Sequence, residues 1–579
     1  MTKSKNKSET TAKILFFIAA GFSVVAVLAI VLFIFLSAFP ALKEIGVLKF
    51  LFGAKWFPKE NAYGVLPMIV ATLLITLLAL LIGGTFGVFT AIFIVYFCPK
   101  RLKGIFNQII VLLAGIPSII YGFFGMIVLS PMLKDLFGVE SGNGLLASSL
   151  ILGLMILPTV VSLSKNALES VPASYVEGSL ALGATKEQTI FKINLSAAKK
   201  GILSALTLGA GRAIGETMAV LVVCGNSVAF PDGLFSPIRP LTVNIVNEMG
   251  YAMGLHRSAL FATGLVLLIF IFFLNGVLAL IKRERKERER GKPKRLTETK
   301  TVIRKRRYFV KGMAQKSLSI VSCIVAGIVV LALAVLLGYI LANGLPELNW
   351  NFLFGTPTYK TPTLLGAFTS TGWIILLALF MALPLGVGAA IFLVEYTKPG
   401  AKVVKVLRIF IDTLSGIPSI VFGLFGMIAF CGSGKSLFAG ALTLSLMILP
   451  TIIRSVEESL LAVQNSVREG SLALGATKIR TIFKVVLPSA LSGVITATVL
   501  SVGRIVSESA ALIFTAGSLP MIPNSPFSSG STFAVLMYNF TAENPNLQAA
   551  YATASVLLIL VLLINLTAHF CERKWKKNK

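Results

Sequence analysis

Charge is scarce in this sequence. Only 13% of its residues are charged, against 56% hydrophobic, and the mean hydropathy is +0.87. A chain this apolar cannot keep its surface in water, so a soluble globular protein is excluded and most of the length belongs in a bilayer. Acidic residues are scarcer still, 24 against 53 Lys and Arg, for a net charge of +29. The basic excess does not form a nucleic-acid-binding stripe. It falls in short blocks between apolar runs, the distribution of a membrane protein with basic inner loops. Cysteine is sparse and scattered. Cys98, Cys224, Cys323, Cys431 and Cys571 contain no Cys-x-x-Cys pair and form no cluster with histidines, which argues against a disulfide framework and a zinc site. A complete P-loop is missing too. Gly432-Ser433-Gly434-Lys435-Ser436 looks like the end of one, but the position five residues before Gly434 is Ala429, and no strand precedes it.

What is present is a series of apolar runs of about 20 residues or more, the length a helix needs to cross roughly 30 Å of hydrocarbon. Twelve spans are predicted, at 14–39, 67–97, 105–130, 145–164, 201–225 and 257–281, and again at 317–342, 365–397, 407–430, 437–454, 490–516 and 549–570. The first run is too long for a signal-peptide core and lacks a clear small-residue cleavage site, so it is read as an uncleaved span. With the N-terminus inside, and with Arg257, Arg408 and Arg454 at span edges counted with their adjoining loops, 42 Lys and Arg fall on the inner side and 9 on the outer. This bias places both termini in the cytoplasm of a multi-pass protein of the cell membrane. The remaining two, Arg212 and Arg504, fall inside spans.

The chain repeats itself. EGSLALGATKEQTIFK at 177–192 matches EGSLALGATKIRTIFK at 469–484 in 14 of 16 positions. MILPT recurs at 155–159 and 447–451, and GRAIGET at 211–217 is echoed by GRIVSES at 503–509, all at an offset of 292. GIPSI recurs at 115–119 and 416–420, offset 301. Six spans separate the copies, so the repeat is parallel, about an axis along the membrane normal. This divides the chain into a half at 1–281, a basic cytoplasmic linker at 282–316 and a half at 317–579. The linker, highly charged with no apolar face, is read as solvated and partly helical.

Arg212 and Arg504 occupy equivalent places in the two halves. A charge at mid-membrane costs about 2.5–3.5 kcal/mol on insertion scales, so each needs a return. Glu216 and Glu508 follow at i+4, one helical turn away. Either each pair is a neutral strut, or the four charges line a central path on which guanidinium forks meet an oxyanion. The symmetry favours the path. Thr217, Ser507 and Ser509 offer hydroxyls, and Gly211, Gly215, Gly503 and Ser507 offer small faces for close helix contact. Gly115-Ile116-Pro117-Ser118 and Gly416-Ile417-Pro418-Ser419 are expected to break the third and ninth spans, with Ser118 and Ser419 as further polar groups on the path.

The near-identical blocks lie in loops, where packing alone rarely demands such sequence. Glu177 and Glu469 open them, Ala181 and Ala473 give a small helix face, and Gly183 and Gly475 suit a helix end followed by a sharp turn. Each block predicts an exposed helix-turn-helix knob, and two knobs suit a twofold-symmetric partner. The block resembles the EAA loop of ABC-importer permeases, whose pattern runs Glu-Ala-Ala, three residues, Gly, and later Ile-x-Leu-Pro. The second copy fits with Glu469, Gly475 and Val485-Val486-Leu487-Pro488. The first keeps Glu177 and Gly183 but has Gly178-Ser179 for the two alanines and Ser196 where Pro is usual.

GIPSIIYGFFGM at 115–126, GIPSIVFGLFGM at 416–427 and GRAIGETMAV at 211–220 are similar to motifs of Pst-type phosphate permeases. In that family two separate six-span subunits, PstC and PstA, form the channel. The first half resembles PstC and the second PstA, over nearly the whole chain apart from the linker, and the fusion is the departure. The resemblance implies an all-α membrane protein of two tandem six-helix type I ABC-importer (MetI-like) halves, with about 12 transmembrane helices. It implies a phosphate permease working by alternating access, not itself an enzyme and with no cofactor of its own. ATP and Mg would sit on a separate ATPase dimer docked on both loops. An extracytoplasmic phosphate-binding protein would deliver substrate. The lipid bilayer surrounds the chain, no nucleic acid is expected, and a phosphate-sensing regulator is a further candidate partner. An importer permease for sulfate, molybdate or a small polar solute is the nearest alternative, and an ion-coupled secondary transporter is one of another class.

Overall fold

The computed structural model describes residues 2–290, 308–358, 363–398, 401–432 and 434–577. Apolar side chains recur all round the long segments, so helices that satisfy their own backbone dominate, as a bilayer requires. In the first half these are α1 (Thr2–Ile45), α2 (Leu66–Phe97), α3 (Lys100–Gly115), α4 (Ser118–Phe137), α5 (Leu145–Glu169), the short α6 (Ala173–Ala181), α7 (Leu195–Gly215), α8 (Leu241–Met249) and α9 (Gly254–Arg290). The second half repeats the order with α10 (Tyr308–Gly344), α11 (Leu365–Tyr396), α12 (Lys402–Gly416), α13 (Ser419–Ala429), α14 (Leu437–Leu461), α15 (Asn465–Ala473), α16 (Leu491–Ser507), α17 (Phe533–Tyr538) and α18 (Leu547–Lys577). Of the expected linker, 282–290 continues α9, 308–316 begins α10, and 291–307 lies outside the described residues.

Among the described residues nine helices are long and apolar enough to cross a membrane, and up to eleven if two bent pairs each count as one span. The difference from the expected twelve falls at α7, where Lys199, Lys200 and Arg212 sit in a helix that stops at Gly215. The GIPS motifs do break their spans. Ile116 and Pro117 are extended (ψ 127° and 140°), as are Ile417 and Pro418, and α12 and α13 meet at 98°. Proline removes an N–H and forces the preceding residue out of the helical region. The buried Tyr121 hydroxyl donates to the Leu113 carbonyl at 2.7 Å and so satisfies one acceptor that the break releases.

The halves are interlocked. α1 packs on α9 of its own half and on α11 and α12 of the other, while α10 packs on α18 and reaches across to α2. Both breaks lie against the other half. A side chain at Gly115 would meet the Asn565 amide nitrogen at 2.3 Å, and one at Gly416 would meet that of Asn275 at 2.9 Å. Phe123 stacks edge-on against Tyr551 at 5.0 Å.

The first half also carries a small polar cap. The buried Glu248 on α8 accepts from Trp56 Nε1 (2.9 Å) and Arg239 Nη1 (2.6 Å) and lies 2.8 Å from His256 Nε2. The hairpin of Trp56–Phe57 and Ala62–Tyr63, the loop before α8 and the start of α9 thus meet at one carboxylate.

Glycine is required where α2 crosses α5, since a Cβ at Gly83 would lie 2.2 Å from the Gly153 carbonyl oxygen, and backbone cannot move aside like a side chain. Gly83→Ala is therefore expected to lower stability by about 1–3 kcal/mol, read as a falling unfolding midpoint in detergent. Gly327→Ala, facing open space, should not.

Candidate functional site

The arginines lie in the last turns of α7 and α16, where a cation is favoured by the helix dipole. The backbone then turns extended at Glu216 and Glu508, so these are not one helical turn further along, as their spacing predicts. The carboxylates point instead at the next helix start. Glu216 Oε1 accepts from the backbone N–H of Met218 (3.2 Å) and Ala219 (3.3 Å), and Glu508 Oε1 accepts from that of Ala511 (3.2 Å). Among the described residues neither arginine forms an ion pair with either glutamate.

The arginines are held by threonines. Arg212 Nη1 donates to Thr159 Oγ1 at 2.9 Å and Arg504 Nη1 to Thr451 Oγ1 at 3.2 Å. Both threonines end a MILPT repeat, on α5 and α14. That repeat is visible in the sequence, but nothing in it says which groups it faces. All four side chains are half-buried, as are Glu216, Glu508, Ser118 and Ser419, on helices whose other faces are buried apolar surface.

The two half-sites sense each other. Arg504 interacts electrostatically with Arg212 as well as Glu508, and Glu508 with Glu216 and the Ser419 hydroxyl. A Cβ on Gly215 would touch Pro418 at 3.3 Å, so the end of α7 rests on the break of the opposite half. The other small residues do less. Gly211 faces open space beside Arg212, a Cβ on Gly503 would meet only Ile564 at 3.9 Å, and the Ser507 hydroxyl is spent on the Gly503 carbonyl at 2.7 Å. Thr217 and Ser509 are buried rather than half-exposed. The Glu216 carbonyl accepts from Thr242 Oγ1 at 2.9 Å, linking this cluster through α8 to the polar cap around Glu248.

The repeated blocks form two matching knobs. α6 and α15 end in a Schellman turn: Gly183 N–H donates to the Leu180 carbonyl and Ala184 N–H to that of Ser179, with Gly475 to Leu472 and Ala476 to Ser471 in the second copy. The glycines take φ of +81° and +79°, where a Cβ would strain the backbone. Thr185 and Thr477 then cap the next helix, and the Ser179–Thr189 and Ser471–Thr481 hydroxyl pairs, each 2.9 Å, lock the two arms. Glu177, Ala181, Gly183, Glu469, Ala473 and Gly475 are all exposed. At the tips Leu182 and Leu474 are each 91% exposed. Leu180 and Leu472 are exposed beside them, so each knob carries an apolar tip.

The segment resembling a P-loop end is something else. Lys435 Nζ donates to the Ile513 carbonyl at 3.0 Å, so its charge serves a helix end, and Ser433 lies outside the described residues.

A broken-helix bundle with internal repetition, charged groups where the halves meet and paired exposed knobs fits a multi-pass membrane transport subunit. The chain belongs to the family of binding-protein-dependent transport system inner membrane components, which matches it twice, at 83–287 and 382–577. It is 29% identical to the phosphate transport system permease protein PstA homolog of Mycoplasma pneumoniae, over 92% of this chain and 90% of that one. To the phosphate transport system permease protein PstC of Xylella fastidiosa it is 34% identical, over 48% of this chain and 91% of that one. A chain of the inward-facing MetNI methionine ABC transporter aligns with 36% of this chain and 94% of its own length, at 22% identity and a TM-score of 0.31.

Proposed function

We propose that this chain forms the complete membrane-spanning part of an ATP-driven importer for inorganic phosphate. Its halves, 1–281 and 317–579, rock about a shared axis while 282–316 joins them on the cytoplasmic side, where both termini also lie. The observation that carries the reading is the pair of threonine-held arginines: among the described residues each spends one donor on Thr159 or Thr451 and leaves the rest of its fork for a passing anion. The names of its relatives support phosphate as that anion.

Glu216 and Glu508 commit one carboxylate oxygen to backbone N–H groups, and the other is available to accept a hydrogen bond. Phosphate at neutral pH carries a proton and can donate it, whereas sulfate cannot. The glutamates therefore act as a filter as well as a counter-charge, with Ser118 and Ser419 supplying hydroxyls at the breaks and Thr217 and Ser509 packed behind. The chain itself catalyses nothing. A separate ATPase dimer, holding ATP and Mg, grips the knobs at Glu177, Ala181, Gly183, Glu469, Ala473 and Gly475, and an extracytoplasmic binding protein delivers phosphate. A phosphate-sensing regulator is a further partner of such an assembly.

The decisive measurement is labelled phosphate uptake by vesicles holding the chain, its ATPase and its binding protein, with sulfate and molybdate as competitors. Competition by sulfate or molybdate as strong as by unlabelled phosphate would replace phosphate by another oxyanion, and uptake without any ATPase would favour an ion-coupled transporter. Arg212→Gln and Arg504→Gln should each lower uptake about 10- to 100-fold, matching the loss of a charge-assisted hydrogen bond worth about 1.5–3 kcal/mol, with assembly intact. Unchanged uptake in both variants would dismiss the site. Glu216→Gln and Glu508→Gln should narrow the preference for phosphate over sulfate, and an unaltered preference would remove the filter. Gly475→Asp, placing a branched acidic side chain at φ +79°, should detach or uncouple the ATPase, checked by co-purification and uptake together.

A further inference from the structure

The two knobs are nearly identical in sequence yet fastened to the membrane helices differently. In the second half the fastening is Arg468 on α15. Its Nε donates to Glu395 Oε1 (2.9 Å), its Nη1 to the Val463 carbonyl (2.5 Å) and Asn465 Oδ1 (3.3 Å), and its Nη2 to the Leu460 carbonyl (2.6 Å). Leu460 lies in the last turn of α14, whose final carbonyls have no partner within the helix, and Val463 follows two residues past its end. Glu395 lies in the final turn of α11. One planar fork thus joins the knob to two membrane helices, with the arginine side chain 15% and the glutamate 9% exposed. A pair this buried, with its remaining donors satisfied, resists distortion, because opening it strands a charge away from water.

Among the described residues the first half shows no such guanidinium joint. The position 292 residues before Arg468 is Val176, and where the second half reads Phe392-Leu393-Val394-Glu395 the first reads Phe93-Ile94-Val95-Tyr96. Its knob is held by features that both share, the Ser179–Thr189 hydroxyl pair and a lysine over a ring, Lys186 at 5.9 Å from Phe97 against Lys478 at 4.7 Å from Tyr396. The second knob has these and the guanidinium joint, where the first has Tyr96 interacting with Asn194 instead.

α14 leads from that joint to the anion site. Thr451, which holds Arg504, lies on the same continuous helix as Leu460, about 14 Å away at roughly 1.5 Å per residue. We propose that Arg468, acting through Glu395 and the end of α14, is a positioning residue that makes the second knob and α14 one rigid body. Displacement of that knob by the ATPase is delivered directly to Thr451 and Arg504, while the first knob moves with more play. The proposal rests on the reading of the knobs as docking sites.

The test uses the full chain reconstituted with its ATPase and binding protein, and reads phosphate transported per ATP hydrolysed, a ratio that a reduced amount of folded protein does not change. Arg468→Gln should keep the ATPase bound and hydrolysing while the ratio falls roughly 2- to 30-fold, the range seen for residues that couple sites. Arg468→Lys keeps the charge pair but cannot fork onto both carbonyls, and should fall between. Glu395→Gln leaves the carbonyl bonds in place and should also lower the ratio, which keeps the question open to test if Arg468→Gln does not fold. Val176→Gln, at the matching place in the first half, should leave the ratio unchanged. An unchanged ratio in Arg468→Gln and Glu395→Gln, an equal fall in Val176→Gln, or loss of the ATPase from the Arg468→Gln complex would each overturn the proposal. Failure of the ATPase to bind the unaltered chain would instead overturn the docking reading beneath it.

Discussion

An arginine at the end of a membrane helix stays charged and must find partners, and the way Arg212 and Arg504 find theirs governs much of this molecule. Each is met by a threonine from a neighbouring span rather than by the glutamate four residues on. The glutamates are turned away onto backbone N–H groups at the start of the next short helix. Had the charges paired, the interface between halves would hold two neutral struts. Instead each of the four side chains is anchored separately, which is what the proposed exchange of contacts with a mobile anion needs. The arrangement demands that α7 and α16 stop where they do, and that α5 and α14 cross them with a hydroxyl at the right height.

The broken spans follow from the same demand. Irregular backbone is tolerated at membrane depth only where protein or a polar cavity covers it. Here each Gly-Ile-Pro-Ser break is covered by the opposite half, with Asn565 against Gly115, Asn275 against Gly416, and Pro418 under Gly215. The first span of each half crosses to the other, so neither half closes its own core. Motion of one half is therefore felt at the breaks of the other, which is what a path along the shared axis needs.

The knobs show how a sequence repeat becomes a repeated shape. Their Schellman glycines, threonine caps and serine–threonine bonds are local, and each copy builds them from identical residues. Their attachment is not local. It depends on residues far apart in the chain, Arg468 and Glu395 in one half and Val176 and Tyr96 in the other, where the repeat has diverged.

The sequence by itself determined the membrane character, the twofold organisation, the breaks at Gly115–Ser118 and Gly416–Ser419, the exposed knobs and the identity of the two half-buried arginines. These are properties of composition, periodicity and turn chemistry, which act within a few residues of where they are written. It placed α7 as a helix where one is found, although Lys199, Lys200 and Arg212 give it three charges. It paired Arg212 with Glu216 and Arg504 with Glu508, because an i+4 spacing presumes a helix that continues, and this one ends between them. Only the tertiary structure decided that Thr159 and Thr451 hold the arginines, that Thr217 and Ser509 are packed away, and that Arg468 binds three elements at once. The physical reason is that these contacts join residues 53 and 73 positions apart, and their partners are chosen by how helices cross, which no local pattern encodes.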